Sequence, residues 1–172
     1  FVHTYNGMSG LHHREPGMVG AAMTTHGTYA EAICDGHHLN PIAVRALVNA
    51  KGYDHTVLIT DCMRAGGMPN GQYKLGDFPV VVEGGTARLM DESHSLAGSI
   101  LRLFEGVKNV FDWGIVSAEE AVRMASENPA RSCGIDDVCG FIRPGYDADF
   151  IVVTKDLQLE ETFLGGKSVY KA

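Results

Sequence analysis

The sequence predicts an α/β fold built on a buried parallel sheet, and three features carry that prediction. The first is Thr56-Val57-Leu58-Ile59-Thr60, a continuous apolar and β-branched run closed by Asp61 and followed by Gly66 and Gly67. Such a run, without polar alternation, reads as a strand covered on both faces. The second is Glu31-Ala32-Ile33-Cys34, which also ends in an acid, Asp35, ahead of Gly36-His37-His38. The third lies between them: Asn40 caps a helix with Pro41 at its first position, Ile42, Val44, Leu47 and Val48 give it a buried face, and Gly52 stops it. Strand, helix and strand over residues 31–60 make a βαβ unit with a right-handed crossover. Parallel α/β folds place their chemistry at the carboxyl ends of strands, where these acids stand.

The other elements follow in order. Phe1-Val2-His3 reads as the end of a strand with no initiator Met before it, so the expectation is that the chain starts partway through a longer protein. His3 to Met8 leave this strand for a loop at Ser9-Gly10. A polar, basic loop, His12-His13-Arg14-Glu15, closes on the turn signal Pro16-Gly17. Residues 18–25 are small and apolar and read as a short helix. After Asp61, residues 72–75, 79–83 and 86–90 read as short strands separated by Gly76-Asp77 and Gly84-Gly85, a β-meander inserted at about 71–90. Ser99 is expected to cap a helix in which Ile100, Leu103, Phe104, Val107, Val110 and Phe111 recur at helical spacing until Gly114. Ser117 and Glu120 form a capping box for the next helix, and Asn128-Pro129 opens another that Gly134 ends. Beyond Gly140 the chain is extended, with a strand over 148–153 and a hairpin around Gly165-Gly166-Lys167. These last strands cannot bury both faces alone and are expected to join a β-domain with strands from elsewhere.

Composition narrows the function. The 172 residues are 45% hydrophobic and 20% charged, an ordinary globular balance. A formal charge of −7 argues against nucleic acid and anionic membrane surfaces as partners. No apolar run reaches the roughly 20 residues that span a bilayer. Cys34, Cys62, Cys133 and Cys139 show no C-x-x-C pair and no framework spacing, which reads as reduced thiols in a cytoplasmic protein.

Three strand ends carry His3, then Asp35 with His37 and His38, then Asp61, and successive parallel strands deliver such groups to one rim. Neutral imidazoles and carboxylates are what a Zn²⁺ or Fe²⁺ site uses, and a nearby carboxylate can take a proton as water attacks. His3, His38 and Asp61 fit ligand, substrate-orienting group and general base. One such histidine alone is more often a hydrogen-bonded structural group; three strand ends together favour chemistry. Arg14 in its cationic loop suits bidentate capture of phosphate or carboxylate, although charge alone equally fits a solvated loop. Leu96-Ala97-Gly98 reads either as a loop whose backbone approaches a ligand or as a plain helix lead-in. Arg64, Arg102, His26, His55 and His94 read as surface or structural groups.

Five blocks in this order, His3-Thr4-Tyr5-Asn6-Gly7-Met8, His12-His13-Arg14-Glu15-Pro16-Gly17, Asp35-Gly36-His37-His38, Ile59-Thr60-Asp61 and Leu96-Ala97-Gly98-Ser99, resemble the N-acetylglucosamine-6-phosphate deacetylases. These are amidohydrolase-superfamily enzymes that remove acetate from the sugar phosphate, and Pro144-Gly145 with Asp147-Ala148-Asp149 resembles the tail of many amidohydrolases. The resemblance spans nearly the whole chain but only about the C-terminal half of the family. It implies His3 as the last histidine ligand of the metal. Asn6, Gly7, His38, Leu96, Ala97 and Gly98 are implied as substrate contacts, with a backbone contact at Gly7, where the family commonly has Ala. It implies Arg14 gripping the sugar phosphate across a homodimer interface, and Asp61 as the acid–base that activates water and then protonates the amine. His37 stands where the family usually has an apolar residue, and register favours His38 over it as the substrate contact. The family's earlier ligands, a Glu and a His, fall before Phe1, so this stretch alone is expected to lack a complete metal site and activity.

The expected fold class is therefore α/β: the C-terminal part of a (β/α)8 TIM-type metal-dependent hydrolase barrel over residues 1–140, plus strands of a small accessory β-sandwich domain over 141–172. The expected activity is deacetylation of N-acetylglucosamine 6-phosphate with one or two divalent ions, Zn²⁺ or Fe²⁺, in a cytoplasmic homodimer. The rivals are another amidohydrolase, dihydroorotase- or adenine-deaminase-like, with no need of the Arg14 loop, and an inactive structural fragment.

Overall fold

The computed structural model describes residues 1–172. Its centre is a parallel pair, β1 (Ala30–Ile33) and β2 (Thr56–Ile59), in register from Ala30 opposite Thr56 to Ile33 opposite Ile59. Residues 1–4 run alongside β1 as a further parallel neighbour. Phe1 N donates to Tyr29 O at 2.8 Å, Glu31 N to Phe1 O at 2.9 Å and Thr4 N to Glu31 O at 2.8 Å. The slanted exchange on either side of Ala30 is that of a parallel ladder. On the other side, Cys62 makes an isolated parallel bridge with Ser99.

The helices cover this sheet. A short α1 (Gly17–Thr24) lies against α2 (Pro41–Lys51), which begins with the Asn40 side chain accepting from Ile42 N at 2.9 Å and stops at Gly52, φ 85°. Val44, Leu47 and Val48 are buried, but Ile42 is 78% exposed, contrary to the expected buried face. At 100° per residue Ile42 points away from the stripe the other three form. A capping box of Ser117 and Glu120 opens α4 (Ala118–Ala125), and Gly134 ends α5 (Glu127–Cys133) in the left-handed region, both as expected.

Two polar residues do work that sequence spacing does not reveal. Ser99 does not cap a helix: α3 (Leu103–Asp112) starts later, with Arg102 at its cap. Ser99 is 2% exposed and belongs to the sheet. Its N–H donates to Asp61 O at 2.8 Å, its carbonyl accepts from Met63 N at 2.9 Å, and its hydroxyl donates to Thr60 O and accepts from Leu101 N at 3.1 Å. Asn128, expected only to open α5, is buried in its first turn, and its Nδ2 donates to Tyr53 O at 2.7 Å and Thr56 O at 2.8 Å. It thereby braces the start of β2.

The inserted meander is β3 (Gly71–Leu75), β4 (Phe78–Glu83) and β5 (Thr86–Leu89), antiparallel in that order, with a small core of Met63, Ala65, Val80, Val82, Ala87 and Ala97. The last strands, β6 (Phe150–Val153), β7 (Leu159–Leu164) and β8 (Lys167–Lys171), form a separate antiparallel sheet, turned at Gly165 and Gly166. Leu157 before β7 is 3% exposed and inserts into the main core beside Val107, Val110 and Met124.

Asn128→Ala should lower stability by about 2–3 kcal/mol, because two buried carbonyls lose a shared donor. The check is the urea midpoint of the whole protein. An unmoved midpoint would mean the two carbonyls find other donors.

Candidate active site

Asp35 with His38 follows the end of β1 and Asp61 the end of β2, while His3 lies in the turn that Phe1 and Thr4 tie to β1 through backbone hydrogen bonds. His3 and Asp61 are held at positive φ, 33° and 47°, a region that non-glycine residues visit at a cost of about 1–3 kcal/mol. Such strain persists where the surroundings over-determine it and gathers at working sites. The His3 ring lies 3.0 Å through Nδ1 from the carbonyl of Asn6. A carbonyl can only accept, so Nδ1 carries the proton and Nε2 is left with a lone pair, the form a metal ligand takes. The Asn6 side chain donates back to the His3 carbonyl at 3.3 Å, closing a small loop that keeps the ring in place.

The turn after β1 is built around Asp35. Its Oδ1 accepts from the backbone N–H groups of His37 and His38, both at 2.8 Å, and its Oδ2 meets His38 Nδ1 at 2.6 Å. The two side chains are 10% and 6% exposed. Burial works against the charge on Asp35, but the His38 ring and the two N–H groups outweigh it and hold the carboxyl below its ordinary range. Asn109 on α3 donates to the carbonyl of Cys34 at 2.8 Å and fixes the turn from behind. His37, one residue away, is exposed, and its Nε2 lies 3.5 Å from where a Cβ on Gly85 would sit, in the β4–β5 turn. Burial pushes the Cys34 thiol up to about 12, with the Asp35 charge adding to it, so this cysteine is no nucleophile.

Asp61 is exposed at the end of β2, and the block Leu96-Ala97-Gly98-Ser99 is stitched to it. Besides Ser99, Gly98 touches this segment closely: at φ 64° a Cβ there would fall 3.1 Å from Asp61 O and 3.3 Å from Met63 Cβ. Of the two sequence readings, helix lead-in is overturned, since these residues pair with β5 and the strand end: Ala97 N donates to Ala87 O at 3.0 Å and Leu96 bridges Arg88.

The Arg14 loop is exposed. His12 and Glu15 exchange backbone hydrogen bonds, and the Arg14 guanidinium lies 2.8 Å from His13 Nε2. Gly7 has φ 67° with open space where a Cβ would be. Arg64, Arg102, His26 and His94 are exposed, and His55 stacks on Tyr29 beside Asp54. No three His, Cys, Asp or Glu side chains gather closely enough to hold a metal ion. The donors present fit such an ion as one imidazole, His3 Nε2, and one exposed carboxylate, Asp61. Sequence reasoning placed Asp35 at a strand end without pairing it to His38; their three-residue spacing is the one local signal of that contact.

A parallel sheet edged with imidazoles and carboxylates and covered by helices defines a segment of an α/β barrel. The sequence profile of the Amidohydrolase family matches residues 42–169, and the chain belongs to that family, whose members are generally metal-dependent. It is 45% identical over 171 residues to an N-acetylglucosamine-6-phosphate deacetylase of Vibrio furnissii, covering 99% of this chain and 42% of that protein. It is 43% identical to an N-acetylgalactosamine-6-phosphate deacetylase of Escherichia coli O157:H7, covering 96% and 43%. The crystal structure of N-acetylglucosamine-6-phosphate deacetylase from Thermotoga maritima matches with a TM-score of 0.90 and 36% identity, over 99% of this chain and 46% of that one. The chain thus spans less than half the length of these relatives. The expected fold class, a portion of the amidohydrolase TIM-type barrel, is borne out.

Because Asp35 is held below its ordinary range, the stability it adds is full above about pH 4 and is lost as pH falls through its lowered native value. Thermal melts of parent and Asp35→Asn should differ at pH 7, with the parent higher, and converge in strong acid. A gap that stays constant with pH would remove the charge from the account.

Proposed function

We propose that the whole protein hydrolyses N-acetylglucosamine 6-phosphate to glucosamine 6-phosphate and acetate. What carries this reading is the trio at the sheet edge, His3 and His38 each bonded through Nδ1 and Asp61 exposed, in a chain so similar to named deacetylases. Residues 1–140 then belong to the barrel, and 141–172 to an accessory β-domain. His3 Nε2 would hold the metal, its other ligands coming from the part of the relatives' length that this chain does not span. A divalent ion, Zn²⁺ or Fe²⁺ and one or two per site, supplies Lewis acidity toward the acetyl carbonyl when bound.

Asp61 takes a proton from the attacking water and returns it to the departing amine as the C–N bond breaks. His38 contacts the sugar through Nε2. Asn6, the backbone of Gly7, and Leu96, Ala97 and Gly98 line the substrate. Arg14 grips the phosphate, and its place on an exposed loop supports reach into the partner's site of a homodimer. Four unpaired cysteines support a cytoplasmic setting. The relatives' names divide between two epimeric sugars, so N-acetylgalactosamine 6-phosphate is the second substrate to compare.

Acetate release by the whole protein tests the reading. Turnover should be chelator-sensitive and fall about 10²–10⁴-fold in Asp61→Asn. The absence of turnover with either sugar phosphate in a metal-loaded sample would sink the substrate assignment. Arg14→Ala should raise KM for the phosphorylated sugar about 10–100-fold, as loss of a charged hydrogen bond implies. An unchanged KM would favour an amidohydrolase that needs no phosphate grip.

A further inference from the structure

The proposed chemistry uses one strand-end acid, Asp61, and leaves the other without a task. We infer that Asp35 is a positioning residue of the same site, holding the His38 imidazole in one orientation and one tautomer, with Nδ1–H donated to Asp35 and Nε2 kept free for a substrate hydroxyl. The inference rests on the reading in which His38 touches the amino-sugar phosphate.

The geometry supports this from several sides. The carboxylate is engaged at both oxygens, Oδ1 on the backbone of its own turn and Oδ2 on the ring, so it cannot swing away without breaking three hydrogen bonds. An ionised carboxylate offers no proton, so the 2.6 Å contact requires the proton on His38 Nδ1. In the neutral ring Nε2 then carries the lone pair and accepts from a hydroxyl. Gly36, at φ 77°, lets the chain reverse so that His38 comes back onto Asp35. The Trp113 ring lies 3.6 Å from where a Cβ on Gly36 would sit, and Asn109 holds the carbonyl of Cys34, so the turn is backed by packing as well as bonded within. His37 has the same turn on its backbone but no side-chain anchor, and it lies exposed. A side chain held this way is what a binding contact needs if orientation is to be settled before the ligand arrives.

A turn-forming role alone would make Asp35 structural, and Asp35→Asn separates the two. The amide oxygen can still accept both backbone N–H groups, while the amide nitrogen now faces Nδ1 and demands the opposite tautomer. The experiment uses the whole, metal-loaded, ¹⁵N-histidine-labelled protein, with the His38 signals assigned by their loss in His38→Gln. The parent should show His38 protonated on Nδ1 and bare on Nε2, and Asp35→Asn should show the reverse. With N-acetylglucosamine 6-phosphate, Asp35→Asn should lower kcat/KM at least tenfold, yet change it less than twofold in the His38→Gln background. A tautomer that ignores the substitution, or losses that multiply in the double variant, would overturn the inference. If the parent releases no acetate, the substrate reading fails by itself and the tautomer decides the Asp35 inference alone. If Asp35→Asn does not fold, a parent spectrum with the proton on Nε2 overturns the inference and one with it on Nδ1 sustains it.

Discussion

The in-register parallel pairing of β1 with β2 is the constraint on which the site depends. Ile33 stands opposite Ile59 at the last paired rung, and Asp35 and Asp61 each come two residues later in the chain. A parallel ladder delivers both acids at one height on one edge, whereas an antiparallel pair would put them at opposite ends. The register is not free to slip. Ala32, Ile33, Val57 and Leu58 are all buried, so both faces of the pair are packed and a one-residue shift would bring side chains of different size against each face. Residues 1–4 extend the same arrangement to His3, and Ser99 extends it past Asp61.

The two acids that follow β1 and β2 sit in opposite environments. Asp35 turns into the protein, is satisfied at both oxygens, and is bound to an imidazole; a buried charge survives only with that degree of pairing. Asp61 stays exposed on a strained backbone. Environment thus separates two like residues, one paired and held, the other exposed, as it does wherever neighbouring carboxylates are to differ in chemistry.

What was legible in the sequence was local. The βαβ unit, the caps at Asn40 and Ser117, the stops at Gly52 and Gly134, and the three meander strands rest on turn chemistry and periodicity within a few residues. What escaped was long-range. Ser99 looks like a helix cap because serine before an apolar helical pattern usually is one, yet its partners lie 39 residues back at Thr60 and beside it at Asp61 and Met63. Asn128 reaches back 75 and 72 residues to the start of β2, and nothing near it in the chain announces that. Between His37 and His38 the sequence offered only register with the family motif, which favours His38; the Asp35 contact that accompanies the burial of the His38 ring is not legible there.

The same long-range logic gives the inserted meander a physical place in the site. Its small core is closed by Met63 and Ala65, which come directly after Asp61, and by Ala97, which precedes Gly98. The meander therefore grips both sides of the seam where Ser99 and Gly98 meet the Asp61 peptide. A Cβ at position 98 would press on Asp61 O and Met63 together, so only glycine allows the two segments to close to this distance at that φ. Asp61 is free at its side chain but held at its carbonyl by Ser99, and the meander core packs on both flanks of that contact through Met63, Ala65 and Ala97. That makes the 71–90 insertion part of how the strand end is shaped, not a decoration hung beside it.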